Sequence, residues 1–211
     1  MLKIDLYTDV SCPWCILGMY RLDKVLAERF SELKVDIEHH PVLLMPDAPA
    51  AGVHIPDMLR SRYGVTDPRQ AFARPEMEAR ASGLGLDLSR QPWAYPTQPA
   101  HALISAARER GTQHKLAVAI SNAYFLEAKN TSDPDILAEI GAANGFDRDE
   151  ARAIALNQIE HHRVEQESAE ASRKGVRSVP HFIFDDRLAI NGGRSEDEIE
   201  RAIRQGLEGK P

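Results

Sequence analysis

Residues 9–26 read DVSCPWCILGMYRLDKVL and hold both cysteines of the 211-residue chain, Cys12 and Cys15. With Cys12 as the N-cap of a helix, Pro13 takes the first helical position, where a missing N–H costs nothing. Cys15 then stands at the third helical position, almost above Cys12. Residues so placed on an α-turn are roughly 5–6 Å apart at Cβ, close to the reach of a disulfide. The unpaired N–H groups and the positive dipole end of the helix favour a thiolate at Cys12. Helix N-termini and C-x-x-C motifs bring a cysteine pKa from about 8.5 into a range of roughly 3.5–7.5. Cys15, one turn in, is more shielded. The pattern predicts that Cys12 exchanges with a substrate disulfide and that Cys15 resolves the mixed disulfide. Trp14 adds apolar surface beside the thiol that suits an extended peptide, although packing alone accounts for it equally.

Other uses of the motif fit the sequence less well. Half a zinc site needs two further ligands. No other cysteine exists, and His39, His40, His161, His162 and His181 have no finger-like spacing, so no metal is expected.

Working outward, Leu2, Ile4 and Leu6 alternate with Lys3, Asp5 and Tyr7, the period of a half-buried strand. After the motif, Leu22, Val25, Leu26 and Phe30 form an apolar helical face, with Arg21, Asp23, Lys24 and Glu28 expected toward water. Residues 34–44, KVDIEHHPVLL, read as a second strand ended by Pro41. Strand, helix and strand in this order suggest a right-handed βαβ unit with a parallel pair. From Met45 to Lys174 the pattern is helical, broken by the joints MPDAPAAG and RQPWAYPTQPA. Leu116, Ala117, Ile120 and Tyr124 mark one face; Pro134 starts a helix, and Asp147 with Glu150 resembles a capping box. Strands return in PHFIFDD and RLAINGG, joined through Asp185, Asp186 and Arg187. A last helix follows, with Ser195 and Glu198 spaced as a capping box. The order β-α-β, helices, β-β-α predicts an α/β, thioredoxin-like fold carrying a large all-helical insertion. Residues 1–44 and 175–211 would form the thioredoxin-like domain, and residues 45–174 the insertion.

Such a site needs a loop opposite the helix terminus. In GVRSVPHFIFDD, Val179-Pro180 opens a strand, where a proline's missing donor does no harm. A cis bond there would point the Val179 carbonyl and N–H at Cys12, ready to pair with a substrate backbone. A trans proline that merely opens the strand is equally open on the residues alone.

The composition is that of a soluble globular protein, 43% hydrophobic and 27% charged. A formal charge of −6 with no basic run argues against nucleic acid. No apolar stretch approaches a membrane span. The opening residues MLKIDLYTDV lack a secretory leader, which predicts a cytoplasmic protein. In that compartment structural disulfides are rare and dithiols are held reduced, so a reductase or isomerase role is expected.

The C-P-W-C after a D-x-x at a strand end, followed by I-L-G and R-L, and the later G-V-x-x-V-P-x-F resemble the DsbA-like thioredoxin family. PVLLMPDAPAAGV, PAHALISAARERG and NAYFLEAKNTSDPDILAEIGAANGF make the chain similar to its FrnE-like branch. The resemblance implies thiol–disulfide oxidoreductase activity, with the nucleophile on Cys12, the resolving thiol on Cys15 and a cis-proline at Pro180. Pro13, Trp14, Val179 and Pro180 are the candidate substrate-binding residues; Ser11 and His181 are candidate modulators. The branch commonly has arginine at Ala102, glycine at Ser178 and an aromatic at His181, departures that bear on the substrate pocket. His181 is read first as a half-exposed filler and His101 as a packing or capping residue of the insertion. No resident cofactor is implied, with glutathione left open as a co-substrate. The partners implied are disulfide-containing proteins or small thiols, and a homodimer formed through the insertion. The alternative is a glutathione-dependent isomerase or transferase, similar to the 2-hydroxychromene-2-carboxylate isomerases and kappa-class enzymes. Those typically carry serine at the first redox position, where this chain has Cys12. A non-catalytic binding module would tolerate loss of either thiol.

Overall fold

The computed structural model describes residues 1–208; residues 209–211 of the expected C-terminal segment lie outside the described residues. Strand β1 (Leu2–Thr8) leads into helix α1 (Pro13–Arg29) and strand β2 (Val35–Pro41), which pairs parallel to β1 with Leu6 opposite His39. Strands β5 (His181–Phe184) and β6 (Leu188–Asn191) complete the sheet in the order β2-β1-β5-β6. β1 is therefore central, parallel to β2 and antiparallel to β5. Asp185 and Asp186 both have positive φ, and the Arg187 N–H donates to the Phe184 carbonyl. Two successive left-handed residues give the turn the twist that a tight hairpin needs. Helix α9 (Glu196–Leu207) closes the fold behind a complete Ser195–Glu198 capping box and packs on α1.

Between β2 and β5 the chain makes one long excursion. It contains α2 (Ile55–Tyr63), α3 (Pro68–Ser82), a 3₁₀ turn (Leu88–Arg90), α4 (Gln98–Ala106), α5 (Gln113–Phe125), α6 (Pro134–Ala142), α7 (Arg148–Leu156) and α8 (Gln158–Arg173). Prolines occupy the first turns of α2, α3, α4 and α6, where their missing N–H is harmless. Asp67, Asp133, Asp147 and Asn157 accept from the first N–H groups of α3, α6, α7 and α8. The helical pattern holds, with one addition: β3 (Val53–His54) pairs antiparallel with β4 (Trp93–Ala94). Two-residue strands are too short to show a period of two, so the sequence pattern misses them.

Leu2, Ile4, Leu6, Leu17, Leu22, Phe182 and Phe184 share one buried cluster with Leu103, Leu116, Ile120 and Leu137 of the excursion. Arg21 corrects the expected water-facing side of α1: it is 3% exposed. Its fork donates to Ser82 Oγ (2.7 Å), to Glu78 Oε2 (2.7 Å) and to the Gly193 and Arg194 carbonyls (3.2 and 3.0 Å). A guanidinium can be buried when its donors are used this fully. Arg21 thus ties α1 to α3 and to the loop before α9.

Candidate functional site

The motif lies at the start of α1. Cys12 is the N-cap with extended backbone (φ −88°, ψ 117°), Pro13 opens the first turn, and no side chain caps the helix. The Cys15 and Ile16 N–H groups both donate to the Cys12 carbonyl (3.0 and 3.3 Å). Both cysteines are free thiols; Cys12 is 4% exposed and Cys15 is fully buried. Burial pushes the Cys15 thiol well above its ordinary pKa, and its hydrogen bond with Cys12 and the Cys12 charge add to the rise.

The Val179–Pro180 loop faces them. Its peptide bond is cis, and the Val179 carbonyl oxygen lies 3.9 Å from Cys12 Sγ. Gly18 of α1 permits this approach, because a Cβ there would meet Pro180 Cγ at 2.8 Å and Phe182 Cζ at 3.2 Å.

Gly193 lies against the Trp14 ring, where a Cβ would come within 2.3 Å of Cε3, and the Arg74 guanidinium sits 5.5 Å from the ring centroid. Beside Ser11, Pro13 and Trp14 opens a cavity of about 350 Å³. Its far wall is apolar and comes from the excursion, with Met45, Met58, Leu59, Phe72 and Pro75. Helix α2 buries none of its own residues, so its apolar side chains line this space. The joint 92–96 serves mainly as an anchor: Trp93 packs near His54, and the Tyr95 ring closes on Gly52, whose φ of +82° only glycine takes readily.

The Ser11 N–H and Oγ–H both donate to Asp9 Oδ1 (3.0 and 3.1 Å), so its hydroxyl is turned to Asp9. Asp9, 1% exposed, also accepts from the Leu44 N–H (2.7 Å). His181 lies edge-on to Tyr7 at 5.8 Å, and burial holds its pKa below the ordinary imidazole value. His101 is 3% exposed in α4, packed as expected, yet its Nε2 has no hydrogen-bond partner. Asp9, Arg21 and the cavity wall escape a reading of residue types. Only the D-x-x-C spacing hints at Asp9.

Among the described residues one group has metal-ligand types, Asp5, Glu38 and His40 on β1 and β2, with donor atoms within 4.8 Å of one another. Lys3 Nζ already lies 3.1 Å from Asp5 Oδ2, and His40 Nε2 lies 2.7 Å from Asp5 Oδ1. This is an ion-paired cluster with its cation in place. No helix among the described residues is long and apolar enough to cross a membrane.

Known proteins share this architecture. A probable DsbA oxidoreductase from Streptomyces coelicolor superposes with a TM-score of 0.86 at 25% identity, covering 100% of this chain and 92% of that one. The cytosolic disulfide reductase DsbM from Pseudomonas aeruginosa, solved with GSH, shares the fold at 18% identity with a TM-score of 0.68, over 97% of this chain and 98% of that one. In sequence, the uncharacterized protein YwbO of Bacillus subtilis is 25% identical over 206 residues, 95% of this chain and 94% of its own length. The model of the DSBA-like thioredoxin domain matches residues 3–204, nearly the whole length, and the chain belongs to that family.

Proposed function

We propose that this protein is a thiol–disulfide oxidoreductase working through Cys12 and Cys15. One observation carries the reading: Cys12 stands at the helix N-cap against the Val179 carbonyl, with Cys15 buried one turn behind. Negative charge on the Cys12 sulfur is favoured at that end of the helix. The sulfur attacks a substrate disulfide, one substrate thiolate leaves, and a mixed disulfide remains on Cys12. Cys15 then attacks Cys12 Sγ and releases the second substrate sulfur. Two electrons pass from the dithiol to the substrate; the reverse sequence oxidises a substrate dithiol. Pro13 and Trp14 border the docking surface, and the Val179 backbone beside Pro180 pairs with an extended substrate.

The substrate class is a disulfide-containing protein or a small thiol compound, with glutathione as a co-substrate and no resident cofactor. We place the chain in the FrnE-like branch by its motifs. Residues 1–44 and 175–211 are the catalytic domain, and 45–174 form a substrate-selecting insertion that also pairs two copies. A cytoplasmic setting makes reduction or isomerisation the working direction. The glutathione-dependent isomerase reading is weaker, because both redox positions carry cysteine. Insulin reduction tests the assignment: Cys12→Ser abolishes turnover, and Cys15→Ser accumulates mixed disulfides visible by mass. Full activity in Cys12→Ser refutes it.

A further inference from the structure

Ile55, Met58, Leu59 and Arg62 of α2 follow one another at i, i+3, i+4 and i+7, which sets them in one stripe of the helix. All four line the cavity beside Trp14, yet α2 buries none of its residues, so the stripe meets open space rather than protein. Phe72 and Pro75 of α3 continue the apolar wall. On the near side, Ser11 and Pro13 both line the cavity, and Cys12 is the residue between them. Consecutive Cα atoms are about 3.8 Å apart, so the space opens within one residue of the thiol on either side.

Most polar groups of the cavity are spent on the protein itself. Gln91 Nε2 donates to the Lys129 carbonyl (3.1 Å), and its Oε1 accepts from the Trp93 N–H (3.2 Å). The Tyr124 hydroxyl donates to the Trp93 carbonyl (2.9 Å), and the Ser11 hydroxyl to Asp9. Arg62 differs. Among the described residues it has no ion pair and no hydrogen bond, and it is the one charged side chain on the cavity wall. The acids of α2 and α3 are engaged elsewhere: Asp57 with His54 (2.8 Å), Glu76 with the Leu88 N–H (2.9 Å) and Glu78 with Arg21 (2.7 Å). A second guanidinium, that of Arg74, lies 5.5 Å from the Trp14 ring centroid. On a chain of formal charge −6 this is a cationic spot. Apolar walls favour an apolar body, and Met45 and Met58 adapt to its outline. An unpaired guanidinium favours a carboxylate. The volume, about 350 Å³, is that of a small-molecule site, which runs from about 300 to about 1,000 Å³.

We propose that the cavity seats one half of a small disulfide substrate, a compact apolar group that ends in a carboxylate paired with Arg62. The proposal rests on the thiol–disulfide reading and names its substrate class. The Cys12 thiolate attacks the sulfur of the seated half; a Cys12–substrate bond forms, the substrate S–S bond breaks, and the other half leaves as a thiolate. The seated half stays bonded to Cys12 until Cys15 attacks Cys12 Sγ, and it then departs as the second thiolate. The dithiol supplies both electrons, and the departing thiolates take their protons from solvent.

Two aromatic disulfides of similar shape serve as probes: 5,5′-dithiobis(2-nitrobenzoate), which carries carboxylates, and 2,2′-dithiobis(5-nitropyridine), which is neutral. Stopped flow gives the rate constant for the first thiol that the reduced protein releases from each. The ratio of the two constants cancels any change in the reactivity of Cys12 itself. The same ratio for 2-mercaptoethanol is the reference for a thiol with no cavity. The parent's ratio exceeds that reference by about fivefold, the upper range for an exposed ion pair. Arg62→Gln removes the excess. Met58→Glu removes it as well, because a carboxylate four residues before Arg62 pairs with it along the helix. Arg201→Gln on α9 deletes the same charge outside the cavity and keeps the parent's ratio. A parent ratio at or below the reference overturns the proposal, as does an Arg62→Gln ratio within about 1.5-fold of the parent's or an equal drop in Arg201→Gln. An equal loss of insulin reduction in Arg62→Gln would make the wall a polypeptide site and overturns it too. If Cys12→Ser reacts with both probes as fast as the parent, the thiol–disulfide reading itself fails, which is a separate result.

Discussion

Replacing Gly18 with alanine sets two effects of similar size against each other. In a helix interior, glycine costs about 1 kcal/mol relative to alanine, so propensity alone favours the substitution. Space opposes it. The new Cβ would stand 2.8 Å from Pro180 Cγ and 3.2 Å from Phe182 Cζ. Neither neighbour yields cheaply, since the proline ring is rigid and Phe182 is fully buried. Overpacking of this kind costs about 1–3 kcal/mol, which leaves a net destabilisation of about 1 kcal/mol. For a chain of this size that lowers Tm by about 2–4 °C. The functional loss should exceed the loss of stability. Pushing Pro180 outward moves the Val179 carbonyl, now 3.9 Å from Cys12 Sγ, and with it the surface proposed to receive the substrate backbone. Urea denaturation and insulin reduction on the same preparations measure both effects. Gly85→Ala is the control, because nothing lies within 4 Å of its added Cβ. A Gly18→Ala protein with an unfolding midpoint at or above the parent's refutes the packing argument. Lower stability with an unchanged exchange rate refutes the link between α1 and the proline loop.

Arg21→Met leaves Ser82, Glu78 and two loop carbonyls without their shared donor. Because Glu78 is partly exposed and can be rehydrated, the expected loss is about 3 kcal/mol, at the low end for a broken buried pair. Urea unfolding checks it, and a loss under about 1 kcal/mol would show that the fork does not hold these elements together. Stability should also depend on acidity through the buried histidines. Burial holds His39 and His101 below the ordinary value of 6.5, so the unfolded chain takes up protons that the folded chain refuses. The contribution of keeping them neutral is complete above about pH 6.5 and falls as pH drops, by up to about 1.4 kcal/mol per pH unit for each ring. Urea midpoints that stay flat from about pH 6.5 to about pH 5 would contradict this.

What the sequence makes legible here is local. Cys12 and Pro13 state the start of α1, alternation states β1, and Ser195 with Glu198 states the start of α9, because each signal lies within a few residues of what it specifies. Arg21 shows the opposite case. On α1 it has the spacing of a water-facing residue, and only Ser82, Glu78 and the 193–194 carbonyls, all remote in sequence, explain its burial. Asp9 and His101 are also identified by neighbours that arrive from other elements. The cavity wall is hidden for a related reason: α2 contributes side chains to a space whose other side is Pro13 and Trp14. The two-residue ladder of Val53–His54 with Trp93–Ala94 has no pattern to detect at all.

The central position of β1 also has a bearing on how the molecule is made. Cys12 and the Val179 carbonyl that faces it are 167 residues apart in the chain. During synthesis β1, α1 and β2 emerge before β5, and the backbone bonds of their parallel pairing lie within this stretch. The thiol pair therefore leaves the ribosome well before the loop that faces it and the strands that complete the sheet. Contacts of such long span form late in folding. Until then the nascent polypeptide carries two uncovered sulfurs, exposed to the ambient redox buffer until the finished fold buries them.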